Sequence, residues 1–390
     1  MGKLCVKLVP FAPDYSGVCS ALFDLNCIAV LHDASGCTGN YVGFDEPRWY
    51  GSQSATFCSG LREIDAVLGD DEKLIQKVMQ ASASLRPDLI ALVGSPVPMV
   101  IGTDFEGIAA DLESRTGLPC VGFDTTGTQY YPVGVAKACI ALAQRFTRPP
   151  ERKRPLGVNL LGVTPLDFGT EASENLRSLL AANGLELVAD FCDGLTLDAV
   201  GHASEASLNL VVSLAGLEPA RWLHEKYGTP FLVGAPFGEK AQALWLEEVF
   251  RRLHSQEPGV MPACGGDAET LVLGDAVLCR SWQFGLQTEF GVSADCGCLF
   301  GTDPLLAGKH ELNLASEDDI GRAVNSGRYR TVIGDPMFRS LIRPGSGIAF
   351  LDVPAYCVSS KTAGMPPCNP VGAGLNHLCE GAFAPLRSTV

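Results

Sequence analysis

The stretch LHDASGCTGNYVGF, residues 31–44, places Cys37 on a Gly-rich turn at the end of an apolar run, five residues after His32 and with no CxxC partner. A thiol kept only for packing belongs inside the apolar run, so a thiol on the loop at its end is a candidate ligand. Cys58, in GSQSATFCSGLREID, has the same setting: a polar, Ser- and Gly-rich loop ahead of a helical or capped segment. Thiolates on such loops suit iron–sulfur ligation, because loop N–H groups hydrogen-bond the sulfurs. A partly buried, inert thiol is the alternative at both positions.

Loops of this kind need strands to end on and helices to follow. PDLIALVGS (87–95) reads as a buried strand, IGTDFEGIAADLESRTG (101–117) as a helix with a Gly stop, LPCVGFDT (118–125) as the next strand and GVAKACIALAQRF (134–146) as a helix. That is the grammar of βαβ units on a parallel sheet. The charged, Pro-rich TRPPERKRP (147–155) reads as a linker, LGVNLLGV (156–163) starts a second unit, and SQEPGVMPACGGDA (255–268) marks a further boundary. The expected fold is α/β: three Rossmann-like domains, 1–150, 151–260 and 261–390, with parallel sheets around a central cleft. Open α/β sheets bind ligands at the carboxyl ends of their strands, which is where Cys37 and Cys58 are expected.

Composition narrows the function. Hydrophobic residues make up 46% and charged residues 19% of the 390, which suits buried parallel strands. A net charge of −15 argues against nucleic acid or anionic membrane as a partner. No run reaches the length of a membrane span, and MGKLCVKLVPFAP lacks the apolar core and cleavage site of a signal peptide. A cytoplasmic location is expected, where the 15 cysteines stay reduced and most are ordinary buried thiols. There is no GxxxxGK[ST], no GxGxxG after the first strand of any unit, no GxSxG and no HExxH. ATP hydrolysis by this chain, NAD binding in the usual manner and hydrolase chemistry are therefore not supported. Cys296 and Cys298 form a CxC, which alone is not a metal site; His377 and Cys379, near Cys368, diverge on one helix.

HDASGC resembles the HGPxGC or HGSQGC element of nitrogenase component 1 and its relatives. GLREIDAVLGDDEKLIQKV (60–78) is similar to that family's ExDxVFGGxxKL segment, and RPDLIALVGSPVPMVIGTDFEGI (86–108) to its PDxIxVxxTCxxxxIGDD segment. LHEKYGTPFLVGAPFG (223–238) and GRYRTVIGDPMFRSLI (327–342) resemble its second and third domains, and GMPPCNPVGAGLNHL (364–378) its terminal GYRGA stretch. Members place three cysteines per subunit around a cluster at the subunit interface. Cys37 matches the middle one. The first position falls near Ala12, with Cys19 reached only by deleting several residues, and the third falls at Ser95 or Pro96. The position of the active-site cofactor's cysteine falls near Val212 and Ser213, so the resemblance implies a divergent member and not a dinitrogen-reducing catalytic subunit.

What the resemblance implies is a reduced ligand set. Cys37, aimed by Gly36, and Cys58 from each of two subunits would give the four thiolates of one bridging [4Fe–4S] cluster. Cys19 is the reserve ligand. In SGVCSALFDL it lies beside the apolar positions Val18, Leu22 and Leu25, as on a buried helix stripe, so Cys58 is preferred. His32 is expected beside the cluster as a hydrogen-bond donor, or as a loop anchor. Ser95 takes the third ligand's place. Trp49, with Arg48, would line a substrate cavity, dock a partner or anchor its loop. The implied function is a component-1-like oxidoreductase subunit, a homodimer or a heteromer with a paralogous subunit. It would receive low-potential electrons from an ATP-hydrolysing iron protein and pass them to a small molecule or a metallocofactor in the cleft. A scaffold for metal-cluster maturation and a metal-chelate-binding protein are the alternatives.

Overall fold

The computed structural model describes residues 5–49, 52, 54–264, 266–360, 364–365 and 368–383. Three all-parallel sheets follow one another along the chain. The first holds β1 (Cys27–Leu31), β2 (Ala55–Cys58), β3 (Leu89–Val93) and β4 (Cys120–Phe123) in the order β2-β1-β3-β4. The second holds β5 (Arg154–Leu161), β6 (Glu186–Asp190), β7 (Ala206–Val211), β8 (Phe231–Val233) and β9 (Gly259–Val260) in the order β6-β5-β7-β8-β9. The third holds β10 (Thr270–Gly274), β11 (Ala294–Cys298), β12 (Glu311–Asn313), β13 (Thr331–Gly334) and β14 (Ala349–Asp352) in the order β12-β11-β10-β13-β14. Each sheet reverses its strand order beside its first strand, between β1 and β3, β5 and β7, and β10 and β13. Such reversals open a crevice at the carboxyl ends. The expected class, parallel α/β with three Rossmann-like sheets, is what the chain adopts. Among the described residues no helix is long and apolar enough to cross a membrane.

The continuous apolar runs have a simple cause: both faces of the central strands are covered. In β1 and β3, Leu31, Leu89 and Val93 face the main core while Ile28, Val30, Ile90 and Leu92 pack under the helices Asp71–Leu85 and Phe105–Thr116. The charged segment 147–155 differs from expectation, because β5 begins inside it. Arg154 pairs with Ala206 in register, and its guanidinium is held by Glu186 at 2.5 Å and Glu205 at 2.7 Å, so a charge that reads as linker is neutralised at the amino end of an interior strand.

The helix Asp14–Ala21, which carries Cys19, crosses the helix Tyr131–Phe146 with the two backbones in contact. A Cβ at Gly134 would stand 1.8 Å from the carbonyl oxygen of Asp14, and one at Gly17 would stand 2.2 Å from that of Tyr131. Gly134→Ala should therefore lower unfolding stability in urea by about 1–3 kcal/mol, although alanine is the better helix former by about 1 kcal/mol. An unchanged urea midpoint would show that the helices part without cost.

The second and third sheets are tied by a buried carboxylate. Asp275 caps the helix Ala276–Phe290, accepting from the N–H groups of Val277 at 2.9 Å and Leu278 at 3.2 Å. It also accepts from Leu214 N, just after the second sheet's β7, at 3.0 Å. Burial, with the nearby Asp167 charge adding to it, pushes Asp275 up to about 7. Between pH ~4 and that value the folded chain keeps a proton that the unfolded chain releases. This contribution to stability is full below about pH 4 and is lost as pH rises through about 7. Asp275→Asn keeps an acceptor oxygen without the charge. Its stability relative to wild type should rise steadily from pH 5 to pH 8 in urea titrations, and a constant difference would refute the assignment.

Candidate metal centre

Leu31, the last residue of β1, is in register with Cys58, the last residue of β2. After β1 the chain turns and starts the short helix Gly36–Asn40, which continues as a wider π turn, Tyr41–Asp45. Both favoured cysteines thus meet the carboxyl edge of the first sheet, although neither sits on a free loop. Cys37 lies in the first turn of a helix, and Cys58 closes a strand. One residue holds both. The Asp33 carboxylate accepts from Cys37 N at 2.9 Å and Thr38 N at 3.2 Å, which starts the helix. The Asp33 carbonyl accepts from the Cys58 thiol at 3.3 Å, from Ser59 Oγ at 3.2 Å and from Leu61 N at 2.8 Å. Gly60 N donates to Cys58 Sγ at 3.4 Å, an N–H···S contact of the kind that supports a thiolate.

Burial raises the Cys37 thiol above its ordinary range, and the neighbouring Asp33 and Cys58 raise it further, against a hydrogen bond from Tyr15 that lowers it. Cys37 is therefore protonated at neutral pH, and a metal would have to displace that proton. Both cysteines are partly buried. Among the described residues no three His, Cys, Asp or Glu side chains are grouped closely enough to hold a metal ion. Cys37 and Cys58 bring two thiols to this edge of the sheet, half the number that a [4Fe–4S] cluster takes.

The other candidates are placed elsewhere. Cys19 is buried on its helix, its thiol raised by burial and by Cys27 and Glu46. Ser95 is fully buried, its Oγ donating to the carbonyl of His32 at 2.8 Å, so it ties the end of β1 to the end of β3. His32 is lowered by burial, and its Nδ1 shares a hydrogen bond with Ser59 Oγ at 2.9 Å, the role of a loop anchor. Trp49 stacks edge-on against Phe23 and Tyr41 and donates to the carbonyl of Val42 at 2.9 Å. Arg48 is held by Glu46 at 2.9 Å and reaches the carbonyl of Cys192 at 3.3 Å. Gly36 has open space where a side chain would stand. Cys296 and Cys298 are buried in β11 near Cys279. Cys379 is buried while His377 is exposed, so those two do diverge. The sequence reading missed Asp33 and Tyr15. Asp33 accepts from N–H groups four and five residues on, outside the spacing of an ordinary helix cap, and Tyr15 lies far off in sequence, so neither offered a local signal.

A divided thiol pair on the first of three parallel sheets defines a class of multi-sheet α/β protein, and comparison with known proteins identifies the family. Residues 15–263 match nitrogenase component 1 type oxidoreductase, and the chain belongs to that family. It is 24% identical over 253 residues to the nitrogenase iron-molybdenum cofactor biosynthesis protein NifE of Methanosarcina barkeri, covering 60% of this chain and 53% of that protein. It is 24% identical over 203 residues to one of the subunits of the light-independent protochlorophyllide reductase of a Synechococcus species, covering 49% of this chain and 40% of that one. The chain thus spans about half or less of the curated relatives it matches. A solved structure described as nitrogenase Cp1 at pH 5 superposes with a TM-score of 0.71 at 15% identity, covering 100% of this chain and 92% of that one.

Two alanine variants separate the candidate ligands. After anaerobic reconstitution with iron and sulfide, Cys58→Ala should fail to retain iron. Cys19→Ala should retain it, at a cost of about 1 kcal/mol in stability for the small cavity. The reverse pattern of iron content would overturn the Cys37–Cys58 assignment.

Proposed function

We propose that this chain is a component-1-like oxidoreductase subunit whose Cys37 and Cys58 supply half of the ligands to a [4Fe–4S] cluster shared with a second copy or a paralogous subunit. The observation that carries the reading is the exposed apolar surface on the part of the chain that includes Cys58 and follows Cys37. Of the 18 exposed large hydrophobic side chains among the described residues, 11 fall between Val42 and Ile101. They include Phe44 after Cys37, Phe57 beside Cys58, Val67 and Leu68 on the helix Glu63–Leu68, and Val100 on the helix Pro96–Ile101. Exposed apolar surface concentrated in one region marks a protein interface. Side chains at Gly36, Gly39 and Gly43 would meet nothing within 4 Å, so the ground beside Cys37 is low enough for close approach from outside.

When bound, the cluster supplies one-electron relay at low potential. The chain's own groups prepare the place for it. Asp33 fixes the two thiols relative to each other, Gly60 N stabilises the charge that develops on Cys58 sulfur, and the apolar rim excludes water once a partner docks. The electrons would come from an ATP-hydrolysing iron protein and would leave to a small molecule or metallocofactor in the cleft. The likeness to NifE favours a second reading, a maturation scaffold in which the bound cluster is handed on to an acceptor.

Anaerobically purified protein should sediment as a dimer, carry close to four irons per dimer and show a broad visible absorbance bleached by dithionite. Cys37→Ser should lose that iron, since a neutral hydroxyl is a far poorer iron ligand than a thiolate. Full iron content in the variant, or a stable monomer with cluster bound, would sink the proposal. Transfer of iron to an apo-acceptor without substrate reduction would establish the scaffold reading.

A further inference from the structure

Where the crevice of the third sheet, between β10 and β13, faces the loop after β5, a cavity of about 50 Å³ opens. That is room for about four waters or one compact ion. Its walls carry five aromatic side chains, Phe168, Phe237, Trp282, Phe300 and Phe338, all buried. Three aspartates also line it, one from each loop: Asp167 after β5, Asp275 after β10 and Asp335 after β13. Two of them are committed. Asp275 accepts from Val277, Leu278 and Leu214 N–H groups, and Asp335 accepts from Met337 N at 2.9 Å, Ala355 N at 2.9 Å and Ser359 Oγ at 2.8 Å. Asp167 is not. Both its carboxylate oxygens are buried and neither has a well-formed hydrogen bond, the Thr164 hydroxyl and the Cys357 thiol alone lying close enough to steady its charge. Burial holds it at about 6, so it is largely ionised at neutral pH, and no cationic side chain among the described residues bears on it.

An unpaired buried carboxylate is costly unless something positive meets it. We propose that this cavity binds a small organic cation, an alkylammonium or quaternary ammonium group, whose charge meets Asp167 and whose methyl groups lie on the aromatic walls. Aromatic faces attract such cations through their quadrupoles. A hard divalent ion is the poorer occupant, since it needs six or more oxygen ligands and only one carboxylate here is uncommitted. The proposal stands whether or not Cys37 and Cys58 hold a cluster, because it concerns only the second and third sheets.

The test is calorimetric titration of the full chain with tetramethylammonium and ethylammonium chlorides, against tert-butyl alcohol as the uncharged probe of similar size. Saturable binding of at least one ammonium, and none of the alcohol, is expected. Asp167→Asn should weaken that binding by about tenfold or more, the scale of a lost charge-assisted contact. Its melting temperature should stay equal or rise, because the carboxylate it removes has no partner to lose. Trp282→Leu should weaken ammonium binding several-fold while leaving Asp167 in place. Equal binding of the alcohol, unchanged affinity in Asp167→Asn, or no saturable heat from either ammonium at tens of millimolar would each overturn the proposal. So would tight manganese or zinc binding that Asp167→Asn abolishes while neither ammonium binds.

Discussion

Backbone N–H groups at the carboxyl ends of buried parallel strands have to be satisfied where water does not reach, and this chain meets that demand with aspartates. Asp33 after β1 and Asp275 after β10 each accept two N–H groups from the helix that follows, and Asp335 after β13 accepts one from the turn that follows and one from Ala355 after β14. Asp14 does the same at the start of its helix, accepting from Thr126 N at 3.0 Å and Gly127 N at 2.8 Å, and so fastens the loop after β4. Each such carboxylate gives up hydration for several directed hydrogen bonds, and each fixes the direction in which its loop leaves the sheet. The positions of Cys37, of the aromatic cavity and of the seam between the second and third sheets all follow from these few residues.

The device has an electrostatic consequence at each site. Asp33 orients Cys37, and the same negative charge makes the thiol harder to ionise. A nucleophilic cysteine would need a cation or an unopposed helix N-terminus to lower its pKa, whereas the Asp33 carboxylate already occupies the N–H groups of the turn that carries Cys37. Here the thiol is kept protonated and apolar surface surrounds it, which suits a ligand that ionises only when metal arrives and a partner closes over it. In the cavity the same residue type is left over. Asp167 stands after β5 as Asp275 stands after β10, but no N–H group reaches it.

Much of this was legible in sequence, for reasons that can be named. Runs such as LIALV are apolar at every position because both faces of β3 are covered, and that pattern belongs to parallel sheets. Cys37 could be found because its Gly-rich surroundings end an apolar run. Cys58 read as loop because β2 is four residues long, half-covered and set among serines, so its identity as a strand comes from its pairing with β1 and not from its composition. The strings LGDA and IGDP share a Gly-Asp after the strand, a repeat that signals the caps at Asp275 and Asp335. Which aspartate is left uncommitted was not readable, because the donors arrive from far along the chain: Leu214 is 61 residues from Asp275.

The two sites are also joined by hydrogen bonds. Asn40, at the end of the Cys37 helix, donates to Asp45 at 2.8 Å, and Ser16 donates to the same oxygen at 2.7 Å. The other oxygen of Asp45 accepts from Ser360 Oγ at 3.0 Å, and the preceding Ser359 donates to Asp335 at 2.8 Å in the wall of the cavity. A second strap runs parallel, from Ala12 N to the carbonyl of Cys357 at 2.8 Å. Such a path carries a signal only if its members have two arrangements. Built from short, buried bonds to carboxylates, this one acts as a strut. It holds the cysteine edge of the first sheet at a fixed distance from the cavity between the other two.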